Sequence, residues 1–177
     1  MKTIETTVFE FNELTDKAKD KAREWYREGA LQHEWWESIY DDAENIGLKI
    51  KSFDLDRNRH ATGEFNCIGG AEQCANLILS EHGDTCETFK TATAWLGELK
   101  KLNAKIEAVD GDDETNVEWE LWQDKRGMLC DEFLKSILED YLIMLQNEME
   151  YQLAYEQVDE VIIANGYTFT ESGKRYG

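Results

Sequence analysis

Apolar residues recur along this chain at two spacings, and the switch between them divides it into elements. Leu14, Ala18, Ala22, Trp25 and Tyr26 fall at i, i+4, i+8, i+11 and i+12, one face of a helix. Thr15 is placed to cap that helix, with Asp16 in its first turn. Helical character extends through Trp35-Trp36, Ile39-Tyr40 and Ala43 to a glycine stop at Ile46-Gly47. Ahead of it, residues 3–11 are β-branched and aromatic, which predicts a strand. Residues 48–68 alternate in twos and predict a hairpin turning at Asp56–Arg59. The parity changes between Ile50 and Phe53, which predicts a bulge there.

Past Gly69-Gly70 a helix is expected over about 71–82, broken at His82-Gly83-Asp84. Thr85 is the expected cap of the next helix, whose stripe is Phe89, Ala92, Trp95, Leu96, Leu99 and Leu102. The longest periodic stretch covers about 117–165, where Phe133, Ile137, Tyr141, Leu145, Met149 and Leu153 repeat mostly at i+4. Asn165-Gly166 ends it, and 167–176 reads as a short terminal hairpin. The chain has no proline, and no repeat or linker divides it. The pattern therefore predicts an α+β fold: one helix-rich domain over residues 1–177. It carries a small antiparallel sheet, from an N-terminal strand and a central hairpin, and a long C-terminal helix.

Charge changes the picture most. The chain holds 38 acidic and 19 basic residues, a net of −19. Residues 1–106 hold 20 acids and 14 bases, net −6, whereas residues 107–177 hold 18 acids and 5 bases, net −13. Between Lys135 and Lys174 there is no Lys or Arg, while eight carboxylates lie there. Direct nucleic-acid binding and docking on an anionic membrane are both disfavoured, because phosphates need Lys and Arg partners. A basic partner would be attracted, with fast and salt-sensitive association. Six tryptophans argue for a packed chain rather than a disordered acidic one. No apolar run approaches the length of a membrane span, and Met1–Glu5 lacks the apolar core of a secretory signal.

Motifs for chemistry are sparse. Cys67, Cys74, Cys86 and Cys130 form no C-x-x-C pair and are expected as free buried thiols; His82 and Cys86 form only a lone i, i+4 pair. The Asp110–Glu114 run fails as a calcium loop, since the sixth and twelfth positions counted from Asp110 are Thr115 and Leu121. Asp54 and Asp56, two apart at a strand end, would face one side and could hold a divalent metal. His33, His60 and His82 stand beside no nucleophile, and Gly69-Gly70 lacks the residues of a phosphate loop. No catalytic, cofactor-binding or metal-ligating residue is therefore assigned. Adjacent Trp35 and Trp36 point to different sides of a helix, which predicts that one is exposed; a homodimer through the Trp-rich face is compatible with the pattern.

Several stretches together resemble a family. They are Phe11-Asn12-Glu13-Leu14-Thr15 with Ala18, Ala22 and Trp25-Tyr26; Trp35-Trp36 with Tyr40-Asp41-Asp42-Ala43; and Phe53-Asp54-Leu55-Asp56-Arg57. His82–Thr88, and Leu138–Tyr141 onward to Ala164–Thr170, complete them. The chain is similar here to small acidic proteins of tailed bacteriophages and prophages, often labelled antitoxins of a toxin–antitoxin stability system. The resemblance spans most of the chain and brings no catalytic motif. It implies a phage origin and a bacterial cytoplasm, a setting in which small acidic proteins block host restriction or CRISPR machinery.

The expected function is inhibition of a bacterial nucleic-acid-binding defence system, of anti-CRISPR or anti-restriction type, by an acidic binding protein. The alternatives are an antitoxin for one toxin and a small metal-dependent enzyme built on Asp54 and Asp56. The expected partner is a basic host protein or nucleic-acid-binding complex. The residues expected to meet it are Asp110, Asp112 and Asp113 in the acidic loop, with Glu139, Asp140, Glu148, Glu150, Glu156, Asp159 and Glu160 on one long helix. Carboxylates at helical spacing lie about as far apart as the phosphates of one DNA strand, so such a row can imitate them.

Overall fold

In the computed structural model, which describes residues 5–107 and 116–177, the alternating and helical segments fold largely where the pattern places them. The order is β1 (Phe9–Glu10), a 3-10 turn (Phe11–Glu13), α1 (Asp16–Ala30), α2 (Glu37–Asn45), β2 (Leu48–Asp54), β3 (His60–Phe65) and α3 (Gly70–Glu81). Then come α4 (Glu87–Glu107), α5 (Asn116–Gln152), α6 (Tyr155–Ala164), β4 (Thr168–Phe169) and β5 (Arg175–Tyr176). The fold is α+β: six α-helices in the described residues, two small antiparallel sheets and the long helix α5. The acidic loop with Asp110, Asp112 and Asp113 lies outside the described residues.

The chain packs as two compact units. The first unit is residues 1–36 with 146–177, and the second is residues 37–145; α5 belongs to the second up to Leu145 and to the first from Gln146. The core of the first unit joins Phe11, Leu14, Ala18 and Ala22 to Val158, Ile162 and Phe169. Its sheet runs β1-β4-β5, with Phe9 opposite Phe169 and Thr168 opposite Tyr176. In the second unit, β2 and β3 pair from Leu48–Phe65 to Asp54–His60, and the register shifts between Ile50 and Ser52 at the expected bulge. Gly47 ends α2 at φ 75°, with the Cys67 side chain against the place a Cβ would occupy. Tyr141 and Phe133 are the largest fully buried side chains described in this unit.

Six expectations are corrected. The strand over 3–11 is two residues long among the described positions, because its partner β4 offers only Thr168 and Phe169. The first helical stretch is broken at Leu31–Trp36, so α1 and α2 are separate; Trp35 is buried and Trp36 half-buried, their rings edge-on at 5.5 Å, so neither is the exposed one. Thr15 occupies the N-cap of α1 without a side-chain cap hydrogen bond, and α4 starts after Cys86 rather than after Thr85. The long C-terminal helix ends at Gln152. Ala154 takes an extended conformation (φ −63°, ψ 150°) and α6 begins anew at Tyr155. That break lets Val158 and Ile162 reach Ala18 and Ala22, where they are fully buried. Burial of this size stabilises by about 1.5–3 kcal/mol per large aliphatic side chain.

Candidate partner-binding site

The expected carboxylates separate into two sets, because the break at 153–154 moves Glu156, Asp159 and Glu160 from the long helix onto α6. In the first unit, Glu148 and Glu150 stand on the last turns of α5. Glu148 accepts a hydrogen bond from Gln152 Nε2 at 2.7 Å, and Glu150 from Gln146 Nε2 at 2.9 Å. Glu156, in the first turn of α6, and Glu160, one turn on, are exposed. A carboxylate in the first turn is favoured by the helix dipole. Among the described residues, none of these four has a Lys or Arg within ion-pair distance.

The other three described candidates are held by the fold. Asp159 accepts from Arg23 Nε and Nη2, both at 2.6 Å, a bidentate pair that joins α1 to α6. Arg23 Nη1 also donates to Asp20 at 2.8 Å, and the Asp159 bonds push the guanidinium pKa up, against the effect of burial. Glu139, in the second unit, pairs with Arg59 Nη1 at 2.5 Å. Asp140 is half-buried there and accepts from Thr91 Oγ1 at 2.7 Å.

Burial holds the Asp140 carboxyl above the usual carboxylate range; the Thr91 bond opposes this, and Glu87 and Glu139 add to it. An acid whose folded pKa lies above its unfolded value binds its proton more readily when folded. Its contribution to stability is therefore present at low pH and lost as pH rises through the window between the two values. Asp140→Asn is expected to remove that loss, so that urea midpoints of the variant and the parent agree in acid and the variant's is the higher at neutral pH. A variant less stable than the parent at neutral pH would contradict this.

The remaining sequence candidates resolve into structural contacts. Asp54 ends β2 and Asp56 lies beyond it in the turn, so the two do not share a strand face; Asp54 Oδ1 instead accepts the Asp56 N–H at 2.8 Å. Among the described residues no group of three or more His, Cys, Asp or Glu is arranged to hold a metal. All four cysteines are free; Cys74 is buried, which pushes its thiol pKa up to about 12, whereas Cys86 is exposed. His82 turns to Thr88 Oγ1 (2.7 Å) and to Asp42 Oδ1 (3.6 Å), and Asp42 also accepts the Tyr141 hydroxyl at 2.7 Å. Thr88 is only 3% exposed, so this row ties α2, α4 and α5 together and offers no accessible nucleophile.

With the geometry in place, comparison with known proteins adds no relative. No family model, curated protein or solved structure matches this chain. No helix among the described residues is long and apolar enough to cross a membrane.

Two features of the first unit escape the linear pattern. Arg23 and Arg27 stack on Tyr155 at 4.7 and 4.6 Å, with Arg27 Nε donating to Leu153 O at 2.9 Å at the helix break. Trp25, Tyr26 and Tyr167 wall a cavity of about 380 Å³, with Glu28, Gln32 and His33 on its lining. Sequence showed the Trp25-Tyr26 dipeptide, but Tyr167 lies in the terminal hairpin and nothing in its spacing connects the two.

Proposed function

We propose that this protein is an acidic binding partner of a basic bacterial protein, and that it inhibits a nucleic-acid-binding defence complex in the bacterial cytoplasm. Its carboxylates would sit where that complex receives phosphates, in the manner of a phage-encoded anti-CRISPR or anti-restriction inhibitor. The observation that carries the reading is the state of Glu148, Glu150, Glu156 and Glu160. They lie in a stretch without Lys or Arg, and no described cation neutralises them. Glu156 and Glu160, four residues apart on α6, are uncompensated like charges on neighbouring turns, which cost a few tenths of a kcal/mol, a cost that a basic partner would reverse. The break at 153–154 makes the acidic surface two short pairs rather than one continuous row. Asp159, Glu139 and Asp140 each have a partner within the chain, so the proposal rests on the other four.

The test is capture from a bacterial lysate on the immobilised protein at low and high salt. The captured material is then assayed for nucleic-acid binding with and without the free protein. A salt-sensitive complex whose nucleic-acid binding the protein blocks is expected. Replacing Glu148, Glu150, Glu156 and Glu160 together by Gln should weaken capture about tenfold or more and flatten its salt dependence. Capture and inhibition unchanged by the four substitutions would overturn the reading.

A further inference from the structure

The cavity between α1 and the terminal hairpin is built from rings set nearly at right angles. Trp25 meets Tyr167 at 5.3 Å and 88°, and Tyr26 at 6.4 Å and 68°. All three rings are half-buried, and Glu28, which also lines the cavity, is exposed. Ring faces are negative, and perpendicular rings converging on one space attract a weakly hydrated cation; a carboxylate beside them adds its charge. The same rings already take a guanidinium from outside the cavity. Arg175 lies 4.9 Å from the Trp25 ring centre and 4.5 Å from that of Tyr167, and it lines the neighbouring cavity rather than this one. The paired stacking of Arg23 and Arg27 on Tyr155 repeats the preference in the same unit. A guanidinium is planar and stacks on rings in a way an ammonium does not.

From these contacts we infer that the Trp25–Tyr26–Tyr167 cavity is a receptor for an arginine side chain of the protein's partner, its guanidinium held between the rings and paired with Glu28. The inference deepens the proposed function and rests on it only for who supplies the arginine. A basic groove that receives phosphates is lined with arginine as well as lysine, so the acidic surface and this cavity would act on one partner.

The experiment uses the full chain without any partner. N-acetyl-arginine amide and N-acetyl-citrulline amide, which share a shape but differ in charge, are titrated while the Trp25 indole N–H is followed by NMR. Arginine amide is expected to bind saturably and at least tenfold more tightly than citrulline amide, a difference of about 1.4 kcal/mol. Glu28→Gln, an exposed position that leaves the fold intact, is expected to reduce the preference at least threefold. Tyr26→Leu should abolish the arginine shift while far-ultraviolet circular dichroism stays unchanged. Equal binding of the two amides, no saturable shift, or no effect of Glu28→Gln would overturn the inference. Tighter binding of choline than of arginine amide would overturn it too, by assigning a quaternary ammonium instead. Because the partner is absent from this assay, its failure leaves the carboxylate reading standing, and failure of the capture experiment leaves this one standing.

Discussion

Phe133→Ala is expected to lower the stability of the second unit by about 3–5 kcal/mol, the range for removing a buried phenylalanine ring from a packed core. Phe133 is 2% exposed and sits between two other rings: Trp95 at 4.7 Å, stacked at 22°, and Phe65 at 5.8 Å, stacked at 16°. It thereby joins α4, β3 and α5. Trp95 cannot move to fill the vacated space without losing its own anchor, the indole N–H donated to Leu129 O at 2.8 Å. The loss therefore contains both the transfer of the ring and a cavity that does not collapse. Urea denaturation followed by hydrogen exchange of amides within residues 37–145 measures it. Phe133→Leu keeps much of the volume and should cost less than half as much. If the alanine variant unfolds at the parent's midpoint, the stack is not what holds these elements together.

Gly173→Ala is expected to cost roughly 2–5 kcal/mol in the first unit, for two reasons that act at once. Gly173 turns the terminal hairpin at φ 82°, a left-handed conformation that side chains resist. A Cβ there would also lie 2.1 Å from the Ala18 carbonyl oxygen in α1, far inside contact distance with backbone that cannot yield. The hairpin would have to leave α1, taking Phe169 out of the core and Arg175 off Trp25. Gly166 provides the control. Its φ is 62°, yet nothing lies within 4 Å of its would-be Cβ, so Gly166→Ala should cost only the conformational part, about 1–2 kcal/mol. Hydrogen exchange of the β4 and β5 amides reads the difference. Equal losses in the two variants would show that the approach to Ala18 is not a constraint.

These residues also show why some features were legible in sequence and others were not. A glycine stop at Gly47, a parity change near Ile50 and the two short runs around Gly173 are local signals, and the structure contains the cap, the bulge and the hairpin they predict. The break at Leu153-Ala154 carries no such signal: leucine and alanine are among the best helix formers, and neither glycine nor proline marks the place. Burial of Val158 and Ile162 against α1 overrides local preference there. The candidate site was legible only as a surplus of carboxylates. Which of them are available depends on partners far away in the chain: Arg23 lies 136 residues from Asp159, Arg59 lies 80 from Glu139, and Thr91 lies 49 from Asp140.

Sequence by itself determined the α+β class, most element positions and the concentration of negative charge in the last 71 residues. Those follow from side-chain periodicity and composition, which act over a few residues and need no knowledge of the packing. Tertiary structure alone decided that the last long helix is two helices and that the carboxylates are divided between ion pairs and open surface. It alone also brought Tyr167 to Trp25 and Tyr26 around one cavity. The physical reason is the same in each case. An ion pair, a helix break and a ring-walled cavity are set by which surfaces meet when apolar area is buried, and that meeting joins residues whose separation along the chain carries no information.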